Sequence, residues 1–133
     1  MVGILIISHG RLAEALVSAV QLLVGKLQKI RGVSVWPKEK EQDLINRIQQ
    51  EMVEVDEGDG VVILTDLLGG TPTHLGLAFL KSERVEVVTG VNLPMLLTLS
   101  SYRIGRSLKE IGKLAKRSGR RSITFVKEVL RCL

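Results

Sequence analysis

The chain has 133 residues, 45% of them hydrophobic and 25% charged, with a formal net charge of +5. That length suits one domain with a continuous core, and that composition excludes a disordered or fibrous chain. The single cysteine, Cys132, excludes a disulfide framework and a cysteine-based zinc site, and points to a reducing setting.

Charge is distributed unevenly. Residues 1–102 hold 9 Lys/Arg and 12 Asp/Glu, whereas residues 103–133 hold 10 Lys/Arg against only Glu110 and Glu128. A basic tail of this kind suits nucleic acid, an acidic protein surface or anionic headgroups, although a solvated helix face accounts for it equally simply. No aromatic platform or nucleic-acid motif accompanies these charges. The opening Met1-Val2-Gly3-Ile4 has no positive region, and its apolar run stops at His9-Gly10-Arg11, far short of the ~20 residues of a membrane span. The expectation is a cytoplasmic protein.

Val2–Ile7 is an unbroken aliphatic run of strand length, and Leu12, Leu16, Val17, Val20, Leu23 and Val24 then recur at helical spacing as far as Gly25. Ile30–Trp36 reads as a second strand, stopped by Pro37. The stretch from Glu41 places Leu44, Ile45, Ile48, Met52 and Val55 on one helical face. Gly58-Asp59-Gly60 turns the chain into a third strand, Val61–Asp66, which closes on a carboxylate.

The loop Leu67-Leu68-Gly69-Gly70 follows and leads into a helix, with Thr71 as expected N-cap and Pro72 at the first helical position. Arg84–Thr89 gives a fourth strand, ended by Gly90. Asn92 and Pro94 open the next helix, and Ser107–Arg117 forms the last one. Gly119 reads as a break, after which Ser122–Val126 alternates like a fifth, short strand.

Strands separated by helices of this length require a parallel sheet, because parallel neighbours need a crossover. The fold class is therefore α/β: a three-layer open sheet of four parallel strands with helices on both faces, plus a short C-terminal edge strand. In such a sheet the C-terminal strand ends share one edge, where ligands and chemistry collect. Ser8-His9-Gly10, Asp66 and the Gly69-Gly70-Thr71 loop converge there.

By itself, an imidazole at that edge can serve as nucleophile, base or metal ligand. Asp66 accepting a hydrogen bond from one ring nitrogen would set the tautomer and leave the other nitrogen's lone pair outward, which makes a nucleophile. The glycine loop allows close backbone approach, and its N–H groups with the Thr71 hydroxyl suit phosphate oxygens. No carboxylate cluster accompanies the site, so no metal is expected.

Three blocks, Ser8-His9-Gly10, Asp66-Leu67-Leu68-Gly69-Gly70-Thr71-Pro72 and Gly90-Val91-Asn92-Leu93-Pro94-Met95-Leu96, lie in order after the first, third and fourth strands. Together they resemble the mannose-family enzyme IIA domain of the bacterial phosphoenolpyruvate-dependent sugar phosphotransferase system, over nearly the whole chain. The resemblance implies a phosphocarrier without cofactor or metal. His9 would accept phosphate from the histidine-containing phosphocarrier protein and pass it to a IIB partner, which serves membrane IIC and IID subunits. It also implies that Asp66 holds Nδ1 of His9, that phosphate sits on Nε2, and that Gly10, Gly69, Gly70 and Thr71 hold its oxygens. A homodimer exchanging a C-terminal strand is implied as well, and Ser122–Val126 is the segment for that role.

Two departures stand out. Thr73-His74 occupies the place where relatives often carry Asn two residues past the Gly-Gly-Ser/Thr-Pro block, and His74 reads as a helix-surface histidine. Relatives often continue into a IIB domain, whereas this chain stops at Leu133, so a free-standing single IIA domain over 1–133 is expected. A similar family, the phosphotransfer subunit of dihydroxyacetone kinase, carries a loop resembling Asp-Leu-Gly-Ser in place of the sequence found here. The remaining alternative is a regulatory or nucleic-acid-binding module using the basic tail without turnover.

Overall fold

The aliphatic runs form the middle layer of the protein, in a computed structural model that describes residues 1–131. Cys132 and Leu133 lie outside the described residues. The strands are β1 (Gly3–His9), β2 (Ile30–Val35), β3 (Val61–Thr65) and β4 (Val85–Thr89), and the helices are α1 (Leu12–Val24), α2 (Glu41–Val55), α3 (Thr71–Leu77), α4 (Leu93–Tyr102), α5 (Leu108–Arg121) and α6 (Val126–Leu130). The sheet runs in the order β2-β1-β3-β4, with every pairing parallel.

Central strands in a parallel sheet have both faces covered, so they carry apolar side chains on both. In β1, Ile4 and Ile6 face one layer with Val62 and Leu64 of β3, packed by Ala13 and Val20 of α1, Met95, Leu96 and Leu99 of α4, and Ile111 and Ala115 of α5. Leu5, Ile7, Val61 and Ile63 face the other, under Leu44, Ile48 and Val55 of α2 and Leu75 of α3. Full burial of one such aliphatic side chain is worth about 1.5–3 kcal/mol, so the two layers hold the strand ends rigidly in place. Register then aligns those ends: Ile7 pairs with Thr65, Thr65 with Thr89, and His9 with Val35.

The expected three-layer α/β sheet of four parallel strands is present, and three local expectations are corrected. Thr71 is the first residue of α3 and Gly70 occupies the cap position, with no side-chain cap bond. Gly119 does not break the last helix: α5 continues through it to Arg121, and a Cβ at Gly119 would lie 2.7 Å from Met95 Cε. The residue is small because α4 passes close by, and its carbonyl accepts from Asn92 Nδ2 at 3.1 Å.

Nor does Ser122–Val126 form a strand. Ser122 Oγ turns back to the Gly119 carbonyl at 2.7 Å, and the chain re-enters a helical turn at α6. A strand needs a ladder partner for its main-chain groups, and none pairs with this segment among the described residues. The helical turn supplies local bonds instead, such as Arg131 N–H to the Lys127 carbonyl at 3.2 Å. Among the described residues, no helix is long and apolar enough to cross a membrane.

Candidate functional site

His9 is the last residue of β1, and the chain turns there through Gly10, at φ 55°, into α1. Preceding it, Ser8 is wholly buried and its Oγ accepts the Ala13 N–H at 2.6 Å. This bond caps the start of α1, whose cap residue Arg11 offers no side-chain acceptor. The histidine is thus held by a strand on one side and a capped helix on the other.

Asp66 follows directly on β3, the neighbour of β1 in the sheet. Its Oδ2 accepts the His9 main-chain N–H at 2.8 Å and stands 2.7 Å from His9 Nδ1, while Oδ1 accepts the Leu67 N–H at 2.9 Å. The Asp66 side chain is 8% exposed and that of His9 51%. Burial pushes the Asp66 carboxyl up, but the bonds from the His9 main chain and ring, with the Leu67 N–H, outweigh it and hold the group below the ordinary carboxylate value. An ionised carboxylate only accepts, so Nδ1 carries the hydrogen, and in the neutral ring Nε2 is left to present its lone pair. Nε2 makes no hydrogen bond among the described residues.

The glycine loop closes on this ring. A Cβ added at Gly70 would stand 2.7 Å from His9 Cε1 and 3.4 Å from Nε2, so only glycine leaves the ring edge clear. Gly69 takes φ 89°, a left-handed conformation that favours glycine. Thr71, Gly10 and His9 line one cleft of about 780 Å³, together with Trp36, Glu39, Glu41 and His74. Asp66 and Gly70 therefore lie against the ring, Gly10 and Thr71 share its cleft, and Gly69 precedes Gly70 in the loop.

His74 is on the helix surface as expected, yet it also reaches the cleft rim, with Nε2 3.8 Å from Glu41 Oε1. Among the described residues, no group of three or more His, Cys, Asp or Glu is placed to hold a metal ion.

Sequence reasoning missed Thr73. Buried between β3 and the loop, its hydroxyl meets Thr65 Oγ1 at 2.5 Å and donates to the Leu67 carbonyl at 2.6 Å, tying α3 to the turn that carries Asp66. A hydroxyl directly after Pro72 on an otherwise apolar buried face was the available signal. Trp36 was also missed as a site residue. Its ring packs beside Gly10, and its main-chain N–H donates to Glu39 Oε1 at 3.0 Å, with Glu39 braced by Arg47 at 2.9 Å.

Comparison with known proteins identifies the architecture. The family described as "PTS system fructose IIA component" matches residues 3–116. The chain belongs to this family. It is 30% identical over 128 residues to the mannose-specific EIIAB component of the phosphotransferase system (PTS) of Escherichia coli, covering 95% of this chain and 40% of that protein. It is 28% identical over 131 residues to the fructose-specific EIIA component of Bacillus subtilis, covering 98% of this chain and 90% of that one.

Among solved structures, the PTS IIA protein associated with the fucose utilization operon of Streptococcus pneumoniae superposes with a TM-score of 0.84 at 30% identity, covering 96% and 95% of the two chains. The EIIA component from Streptococcus agalactiae shares the fold at a TM-score of 0.86 and 23% identity, covering 96% and 99%. The PTS IIA chain thus spans well under half the length of the E. coli EIIAB relative and nearly all of the B. subtilis one.

Proposed function

We propose that this protein is a phosphocarrier of a sugar phosphotransferase system, with His9 as the residue that takes and gives the phosphoryl group. The observation that carries the reading is the pairing of His9 Nδ1 with Asp66 Oδ2 at 2.7 Å beside an unbonded Nε2. Family membership supports phosphoryl transfer in sugar uptake over both the dihydroxyacetone kinase and the nucleic-acid alternatives.

The step is an in-line displacement. The Nε2 lone pair attacks the phosphorus held on a histidine of the phosphocarrier protein, the N–P bond to that donor breaks, and the donor ring leaves with the electron pair. His9 Nδ1 keeps its proton throughout, donated to Asp66, whose charge stabilises the ring as it becomes cationic. Main-chain N–H groups around Gly69, Gly70 and Thr71, the Thr71 hydroxyl and Gly10 hold the phosphoryl oxygens. The same displacement in reverse delivers the group to a histidine of a IIB partner. Half-open exposure of His9 and the exposed Leu12, Leu67, Leu68 and Trp36 around it suit docking of a protein donor.

A second copy belongs to this reading, since Phe125, Val126, Val129 and Leu130 expose apolar surface on one terminal segment. Light scattering that gives twice the chain mass supports it, and a monomer at all concentrations refutes it. The main reading is tested by incubating the protein with phosphoenolpyruvate, enzyme I and the phosphocarrier, then reading intact mass. One acid-labile phosphate is expected on the wild type and none on His9→Ala. Persistence of the label in His9→Ala would sink the assignment.

A further inference from the structure

We infer that α5 is a docking face for anionic membrane, laying the protein against a lipid surface rich in acidic headgroups. Helix α5 carries Lys109, Lys113, Lys116, Arg117, Arg120 and Arg121 against the single acid Glu110. These positions recur every three to four residues, so they share the side of the helix away from the buried Ile111, Ala115 and Gly119. All six side chains are exposed, and among the described residues none has an ion-pair partner. Elsewhere Arg31, Arg47 and Arg84 are paired with Glu51, Glu39 and Asp56, and the other cations of residues 1–102 are scattered rather than aligned on one helix face. A row of cations left without counter-charges on one helix is complementary to a flat array of negative charge.

Lipid is favoured over polynucleotide by what flanks the row. Immediately before α5, Tyr102 and Ile104 are 54% and 81% exposed, and Arg106 lies over the Tyr102 ring at 5.6 Å from its centroid. An aromatic and an aliphatic side chain beside a polybasic helix supply the two signals that interfacial binding requires, apolar insertion and headgroup attraction. Base stacking would call for a row of bare aromatic platforms, and the ring that precedes α5 is covered by a guanidinium while Phe125 stands alone beyond its end. None of the six cations lines the cleft that holds His9. Lipid docking does not depend on the phosphocarrier reading.

The test is cosedimentation of the full chain with vesicles of phosphatidylcholine alone and of phosphatidylcholine mixed with phosphatidylglycerol. Binding is expected only to the mixed vesicles, and should fall steeply as salt rises. Each lost cation is expected to weaken binding about fivefold, so Lys113→Glu/Lys116→Glu/Arg120→Glu should lose on the order of a hundredfold or more. Ile104→Ser should weaken it while leaving the salt dependence unchanged, and circular dichroism should confirm both variants folded. Equal binding to neutral vesicles, or none to the mixed ones, overturns the inference. So does displacement from mixed vesicles by an oligonucleotide at equal phosphate concentration, or a change of oligomeric state in the triple variant that accounts for its loss of binding.

Discussion

His9 Nδ1 and Asp66 Oδ2 stand 2.7 Å apart, and the same oxygen takes the His9 main-chain N–H at 2.8 Å. One carboxylate oxygen therefore fixes both the position of the residue and the orientation of its ring. The adjacency of β1 and β3 makes this possible, because it brings the two strand ends side by side at the same height of the sheet.

Replacing Asp66 with Asn keeps the shape but removes the charge and lets the amide present a donor to the ring. By analogy with carboxylates that orient metal-bound histidines, phosphorylation of His9 should slow by about 10- to 100-fold. Rapid-quench measurement of phosphate incorporation checks this, with an unchanged circular dichroism spectrum as the control for folding. Wild-type rates would show that orientation of the ring is unimportant.

The same carboxylate gives a pH dependence of stability. Its value in the folded protein lies below the ordinary one of about 3.9, so the unfolded chain binds the proton more readily. The stabilisation is complete above that ordinary value and is lost as pH falls through the lower folded value. Denaturant midpoints measured from neutral pH downward should fall in the wild type, and Asp66→Asn should flatten part of that acid limb.

Gly70→Ala tests the close approach of the loop. The added methyl would stand 2.7 Å from His9 Cε1, so the half-exposed ring must swing outward and its bond to Asp66 must lengthen. Expected are a slowed transfer and shifted His9 ring resonances. Stability should change by about 1 kcal/mol or less, since the ring can move into solvent.

Thr73→Val replaces a buried hydroxyl by a methyl of the same shape. Thr65 Oγ1 and the Leu67 carbonyl lose their partner, at about 1–3 kcal/mol for the unsatisfied groups. Thermal denaturation should reveal that loss, together with faster amide exchange at Leu67 as the turn loosens.

The sheet and the site's two principal residues were legible because both follow from local patterns plus one topological rule. Continuous aliphatic runs mark buried strands, helices between them force parallel pairing, and parallel pairing gathers His9, Asp66 and Gly70 at one edge. Features that depend on long-range contact were not legible. Gly119 looked like a helix break, and only the passage of Met95 explains its small size. Ser122–Val126 has strand-like alternation, but alternation does not provide a ladder partner, and the segment coils into α6 instead. Thr71 looks like a cap in sequence, yet Gly70 must take that place for the backbone to approach the His9 ring. Thr73 and Ser8 hold the site through hydroxyls whose partners lie six and five residues away, distances at which no periodicity signals a bond.

The account's central claim is that Nε2 of His9 is the phosphorylated atom while Nδ1 stays bound to Asp66. Nuclear magnetic resonance of the phosphorylated, 15N-labelled protein, correlating phosphorus with the imidazole nitrogens, measures this directly. Phosphorus coupled to Nε2 of His9, with Nδ1 still protonated, is the predicted result. Coupling to Nδ1, or to a nitrogen of His74, would contradict it.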